Sequence, residues 1–396
     1  MKSKQLLILL VIAVVLGIVY FATRPGEETW GEAAKSGRAA LLIPESELDP
    51  TAVAGMTFTG NGKTVNLVME DGSWIVKERF GYPANMDNLK SFLVSLTDCT
   101  VARELTLSET QKEELKLDNN GAVTVQLKDA SGTVLKTILF GAQHTREMEG
   151  GGMPQGMMMM GGGGGSIPNG RFILKDGKPV LVSETFSPVD SDVAYWLDKE
   201  FFKIEDIKTA ELIVDGKSLW KLARGDKNAD LVLDAVIPDD KETDSTKLSS
   251  VKNAFSWIRF NDVADPEAKP EDIGFAKTKT FIATDFDDFK YTIDFGEEKD
   301  GKRFLKIKDI EWIGEATRKP GADEKPEDKK KLDDEFAKSI ADKKAKAVEL
   351  DTQFAPWIYE VGTYSLSSVD KSFEDFLKDK PKPEPEPEKK EEPKEE

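Results

Sequence analysis

The sequence predicts an α+β protein: an N-terminal transmembrane helix, two tandem pseudo-repeated α+β units with antiparallel sheets, and a disordered acidic C-terminal tail. Three observations carry that prediction. An uncharged apolar run, Leu6 to Ala22, stands at the N-terminus; a pattern of hairpins and amphipathic stripes occurs twice; and the chain ends in a stretch composed almost wholly of Pro, Glu and Lys.

The 396 residues carry 55 Lys+Arg against 73 Asp+Glu, for a net charge of −18. Nucleic acids are held mainly by Lys and Arg neutralising phosphates, so no nucleic-acid partner is expected. One cysteine, Cys99, excludes an internal disulfide and a cysteine-cluster metal site, and one histidine, His144, excludes a multi-histidine centre. Neither His nor a basic residue adjoins Cys99 in sequence, so it reads as a small buried hydrophobe and not as a reactive thiolate.

The first element is a signal-anchor over residues 1–24. Leu6 to Ala22 would span about 26 Å as a helix, near the lower limit for crossing a hydrocarbon core of ~30 Å. Lys2 and Lys4 place the N-terminus on the cytoplasmic side by the positive-inside rule, so the chain after Arg24 is expected outside the cytoplasm. The rival reading is a cleaved signal peptide, but its apolar core is shorter, about 7–15 residues, and ends in a small-x-small site, which is not found here. Residues 25–50 are mixed and aperiodic, and read as a linker.

The two units are assigned to residues 51–205 and 206–378. In the first, Thr64 to Met69 and Trp74 to Lys77 flank Asp71-Gly72 as a hairpin; in the second, Ala210 to Val214 and Leu219 to Leu222 flank Asp215-Gly216. Both hairpins carry a Trp soon after Asp-Gly. A helical stripe follows each: Leu89, Phe92, Leu93 and Leu96, then Val251, Ala254, Phe255 and Ile258, superposing at an offset of 162. A second hairpin, Val123 to Leu127 with Val134 to Gly141, answers Thr280 to Thr284 with Lys290 to Gly296, so Ile-Leu-Phe-Gly matches Ile-Asp-Phe-Gly. Each unit then closes with a strand, in Pro179 to Asp190 or in Pro356 to Ser367, leading into predicted helices Ser191 to Phe202 and Val369 to Leu377. The unit is thus about β-β-α-β-β-β-α, an antiparallel sheet that needs helices on one face.

The Met/Gly-rich loop 146–168 is the most unusual segment. Its thioethers, Met157, Met158, Met159 and Met160, with His144 upstream, are soft-metal candidates for Cu(I). Glycine makes such a loop costly to order, so a flexible low-complexity loop is the preferred reading, with a greasy partner-contact loop as a further alternative. Asp285, Asp287, Asp288 and Asp294 lack the glycine and distal Glu of a calcium loop and read as a solvated turn. No nucleophile elbow, phosphate loop or dinucleotide fingerprint occurs, and no catalytic residue, cofactor or firm metal ligand is assigned.

A charged helical insertion is expected over 315–350. Asp334/Lys338 and Asp342/Lys346 stand at i, i+4, and Leu332, Phe336 and Ile340 form a narrow stripe, so it is either a solvated excursion folded back on the body or a surface that docks a partner helix. The Pro/Glu/Lys tail, 379–396, cannot bury apolar area and is expected to stay extended.

With its single N-terminal membrane segment, Asp71-Gly72-Ser73-Trp74, the Pro83 to Leu96 helix, the Leu107 to Leu117 stretch, the hairpin ending in Phe140-Gly141 and then Val180-Leu181-Val182, the chain resembles the domain of unknown function 4340 family. The resemblance implies a bacterial envelope protein of the gliding-motility exporter context, single-pass in the inner membrane through residues 6–22, with its bulk in the periplasm. It carries no catalytic residues. The expected function is therefore a non-enzymatic accessory or binding protein with an envelope partner, ABC transporter subunits being the candidates. The alternative is a periplasmic ligand- or Cu(I)-binding protein using the Met-rich loop or the inter-unit cleft.

Overall fold

The computed structural model describes residues 40–118, 120–147, 166–320 and 324–380. The anchor segment 6–22, Met157 to Met160 and residues 381–396 of the tail lie outside them. Among the described residues no helix is long and apolar enough to cross a membrane. The chain divides into two compact units, one comprising Met1–Trp74 and Met86–Tyr195, the other Ile75–Asn85 and Trp196–Glu396. The break thus falls at Tyr195/Trp196, ten residues before the expected 205/206 boundary, and the Ile75–Asn85 segment belongs with the second unit.

The first sheet contains β1 (Gly55–Gly60), β2 (Lys63–Glu70), β3 (Ser73–Val76), β4 (Tyr82–Pro83), β5 (Val101–Glu104), β6 (Val123–Lys128), β7 (Val134–Glu147), β8 (Ser166–Lys175) and β9 (Lys178–Val182), with helices α1 (Met86–Asp98) and α2 (Glu109–Glu114). Its order is β4-β3-β2-β1-β6-β7-β8-β9-β5. The second contains β10 (Ile207–Val214), β11 (Lys217–Ala223), β12 (Val232–Leu233), β14 (Phe260–Ala264), β15 (Lys279–Asp285), β16 (Phe289–Phe295), β17 (Arg303–Trp312) and β18 (Ile358–Val361); a small ribbon pairs β13 (Lys241–Thr243) with β19 (Leu377–Asp379). The second order is β12-β11-β10-β15-β16-β17-β18-β14, with α3 (Ser245–Lys252) and α4 (Pro326–Phe354) as its helices.

The two orders correspond strand for strand once β4 is set aside, so the predicted repeat is real at the level of topology. Its first hairpin is not the one read from sequence. The place of β10-β11, turned by Asp215-Gly216, is held in the first unit by β1-β2, turned by Asn61-Gly62, and not by β2-β3 with Asp71-Gly72. All three turns have positive φ at both central residues, as a two-residue hairpin with the strand's own twist requires. Local turn chemistry was therefore the same at three places, and it could not say which pair of turns is equivalent.

The helical stripes bury as expected: Leu89, Phe92 and Leu96 on α1 are at most 2% exposed, and Val251 and Phe255 are fully buried. The second stripe is nevertheless helical only up to Lys252, where Asn253 caps α3, and Ala254 to Ile258 continue as turns. The closing helices are corrected outright. Ser191 to Phe202 contains only a 3-10 turn, Val193–Trp196, and the region after Val369 only another, Glu374–Phe376. In the first case the chain is taken into an extended bridge, Ala84 with Leu197, with Asn85 N–H donating to Trp196 O (2.7 Å), which leaves those backbone groups unable to build a helix.

The linker 25–50 also ends sooner than its composition suggests. Leu42, Ile43 and Leu48 are buried, Leu41 bridges Thr100, and Leu42 N–H donates to Cys99 O (2.7 Å) while Val101 N–H donates to Ala40 O (2.8 Å). Residues 40–42 thus pair with Cys99 to Val101, at the start of β5.

Candidate functional site

His144 sits on β7, its Nδ1 2.6 Å from Asn169 Oδ1 and its ring against Phe172. That nitrogen is thus engaged inside the β7-β8 hairpin. Cys99 is 3% exposed, and burial, with Glu184 nearby, pushes its thiol up to about 12, far from a reactive thiolate.

The four aspartates do not converge. Asp285, nearly buried, accepts N–H bonds from Asp287 and Phe289 (2.9 Å each) and so closes the β15-β16 turn; burial raises its carboxyl above the ordinary value despite those bonds. Asp287 pairs with Lys343, Asp288 with Lys208, and Asp294 accepts from Thr280 (2.6 Å). Among the described residues no group of His, Cys, Asp and Glu could hold a metal ion.

What the structure does bring together is a pair of matching pins. Arg171, midway along β8, is 3% exposed and makes a bidentate pair with Asp190 (2.6 and 2.8 Å), its guanidinium 6.0 Å from the Phe140 ring centroid. Arg303, at the start of β17, pairs with Asp370 and lies 5.3 Å from the Phe295 ring. The arginines oppose the last residues of the next strands, Val182 and Val361. Asp370 also receives Lys279 Nζ (2.6 Å); burial pushes its carboxyl up, but Lys279 and Arg303 outweigh that and hold it below the ordinary range. The sequence carried a signal for these pins in Ser187-Pro188-Val189-Asp190 against Ser367-Ser368-Val369-Asp370, at an offset of 180. The pairing of Asp190 with Ser367 hid it.

Beside each pin a glycine marks a chain crossing. Added Cβ atoms on Gly141 and Gly296 would collide with the backbone oxygens of Leu115 and Gly274, while Ala142 and Glu297 donate their N–H groups to those same oxygens (2.8 and 3.0 Å). The shared Phe-Gly is therefore steric in origin.

In the second unit Ile75–Asn85 brings Arg79 to Asp262 as a bidentate pair (2.6 and 2.7 Å), which raises the guanidinium pKa. Asp262 stands opposite Glu360 in the sheet, and Glu360 pairs with Lys302 (2.7 Å). Lys199 donates to Asn261 O (2.6 Å) and lies 4.5 Å from the Phe260 ring; loss of water around its ammonium holds it below the usual lysine value. These charges satisfy one another around the buried aromatics Tyr82, Phe260 and Tyr359.

The helix α4 is dense in exposed charge. Pro326 opens it, with Glu327 and Asp328 in the first turn, where the helix dipole favours anions. Its C-terminal part is held by Ala347 and Phe354, both buried, and by Ile310 N–H donating to Asp351 (3.0 Å); Phe336 and Ile340 are half-buried and Leu332 is exposed. The expected pairs Asp334/Lys338 and Asp342/Lys346 do not form. Lys331 reaches Glu335 (3.7 Å) and Lys346 reaches Glu349 (3.2 Å), so among the described residues Lys338 and Asp342 have no ion pair. One flank of the helix, Glu335, Lys338, Ser339, Asp342, Lys343 and Lys346, walls an open groove of about 470 Å³ beside Phe289.

These features define a duplicated antiparallel α+β protein whose buried charges are spent on its own architecture. The family model described as Domain of unknown function (DUF4340) matches residues 74–278, more than half of the chain, and the chain belongs to that family. The matched stretch runs from β3 to just before β15. No curated protein and no solved structure matches the chain.

Proposed function

We propose that this is a non-enzymatic, membrane-anchored accessory protein whose two units stand in the periplasm and recognise another envelope component, within an ABC-type export system. The observation that carries the reading is the uncharged run Leu6 to Ala22 behind Lys2 and Lys4, which fits a signal-anchor with the body outside the cytoplasm. Further support comes from where the ionisable groups sit. Arg171, Arg303, Arg79 and Asp285 are tied into the sheets, while α4 presents a dense row of exposed charges, an arrangement suited to surface recognition. The test is affinity capture of the full chain from detergent-solubilised membranes, followed by identification of what comes with it. An ATPase and a permease subunit in the eluate are the expected result; an eluate without transporter subunits would end the export version.

A further inference from the structure

Lys343 of the groove flank of α4 is held by Asp287 (3.0 Å); the other charges of that flank read, from N- to C-terminus, Glu335, Lys338, Asp342, Lys346: negative, positive, negative, positive, with Ser339 near its middle. All five side chains are exposed. Reversed end to end, the same series reads positive, negative, positive, negative. Laid antiparallel on a copy of itself about a two-fold axis near Ile340, it sets Glu335 opposite Lys346 and Lys338 opposite Asp342, and symmetry repeats both pairs. Two-fold contacts require exactly this self-complementarity, in which residue i meets j and j meets i.

We propose that α4 is a self-recognition helix, pairing antiparallel with α4 of a second copy of this chain. Three observations favour that occupant. Lys338 and Asp342 have no ion pair among the described residues, although each has an opposite charge one turn away, so the innermost charges of the series are available to a partner. Ser339, at the centre, is small enough to let two helix backbones approach. The groove beside Phe289 gives the partner's side chains room. A partner of a single charge sign would meet repulsion at every second position of this series, whereas a second copy meets an opposite charge at each, with Lys343 held by Asp287.

The contact covers about three helical turns, roughly 17 Å at 1.5 Å per residue, and buries less than the ~1,200 Å² of a standard interface. The association is therefore weak, and exposed ion pairs make it salt-sensitive. A cross-link suits it better than a size measurement. Near the axis, Ser339 and its symmetry mate are offset by only about 3 Å along the helix, so a cysteine there comes within disulfide reach; the native Cys99 is buried and stays out of the reaction.

The experiment uses the full-length chain in detergent, carrying S339C and mildly oxidised. A disulfide dimer is expected, reduced at least tenfold in yield by adding Lys338→Glu, which faces Asp342 with a like charge twice over by symmetry. Adding Asp342→Lys to that variant restores the series as Glu335, K338E, D342K, Lys346, and with it the dimer to within about threefold. Raising the salt from 50 to 500 mM should lower the yield of the parent and of the double variant alike. No dimer from S339C overturns the proposal. So does a dimer indifferent to Lys338→Glu, or a double variant that stays monomeric. Because the readout is pairing between copies, its failure leaves the export reading untouched.

Discussion

The two units differ most at the point where they are otherwise most alike. In the first, β8 turns into β9 through two residues, Asp176-Gly177; in the second, the chain leaves β17 at Trp312, builds α4, and returns to β18 at Ile358. On both sides of that difference the arginine, the phenylalanine ring and the aspartate recur with the same partners. A two-residue turn is thus enough for the architecture, and α4 is an addition to a finished sheet. The second difference is charge: Asp190 faces one cation through its bidentate pair, whereas Asp370 faces two, Arg303 and Lys279.

Removing the aspartates should separate the units most strongly. Asp370→Ala strands two cations, Arg303 and Lys279, at an expected cost of about 3–5 kcal/mol, while Asp190→Ala strands one, Arg171, which keeps its bonds to the Thr185 and Phe186 carbonyls, and should cost about 3 kcal/mol. Urea denaturation of the purified chain checks the order, and equal losses would deny the difference. Next come Gly141→Ala and Gly296→Ala. Neither glycine needs a positive φ, so each loss reports only the collision at the crossing, about 1–3 kcal/mol and similar in the two units.

The pH dependence is a narrower probe. Asp370 has a folded value below its unfolded one, so its ionised form stabilises the fold. That contribution is fully present above the unfolded value of about 3.9 and is lost as pH falls through the lower folded value. The stability gap between the parent and Asp370→Asn should hence be flat from pH 5 to 8 and close below about pH 4. A gap that widens on acidification has the wrong sign. The smallest effect is expected on α4. Ala337→Pro, in its exposed N-terminal part, should lower helix content by circular dichroism yet change the unfolding free energy of the sheets by less than about 0.5 kcal/mol.

Much of this fold was legible where the signal is local. Asp71-Gly72 and Asp215-Gly216 turn their hairpins, Leu89, Phe92 and Leu96 bury as a stripe, and Ile-x-Phe-Gly marks equivalent strands in both units. What escaped was set by distant partners. The pairing of β1 with β6, which makes β1 the true counterpart of β10, depends on residues far apart in sequence, and three identical turn geometries offered no way to choose. The sequence predicts a helix over Ser191 to Phe202, but the backbone pairing of Ala84 and Asn85 with Leu197 and Trp196 wins. The pins were hidden because their members are 19 residues apart in one unit and 67 in the other, the difference being α4.

The short stretch Ala40 to Leu42 pairs with Cys99 to Val101 at the start of β5, which ends its sheet. An end strand left bare offers a row of unmatched amide and carbonyl groups, a template on which other chains can stack. By pairing with Cys99 to Val101 at the start of that strand, and by burying Leu42 and Ile43, the residues leading into the first unit are expected to act as a partial guard against aggregation. Trimming the protein to begin at Thr51, which composition alone would recommend, should yield material that folds and then clumps.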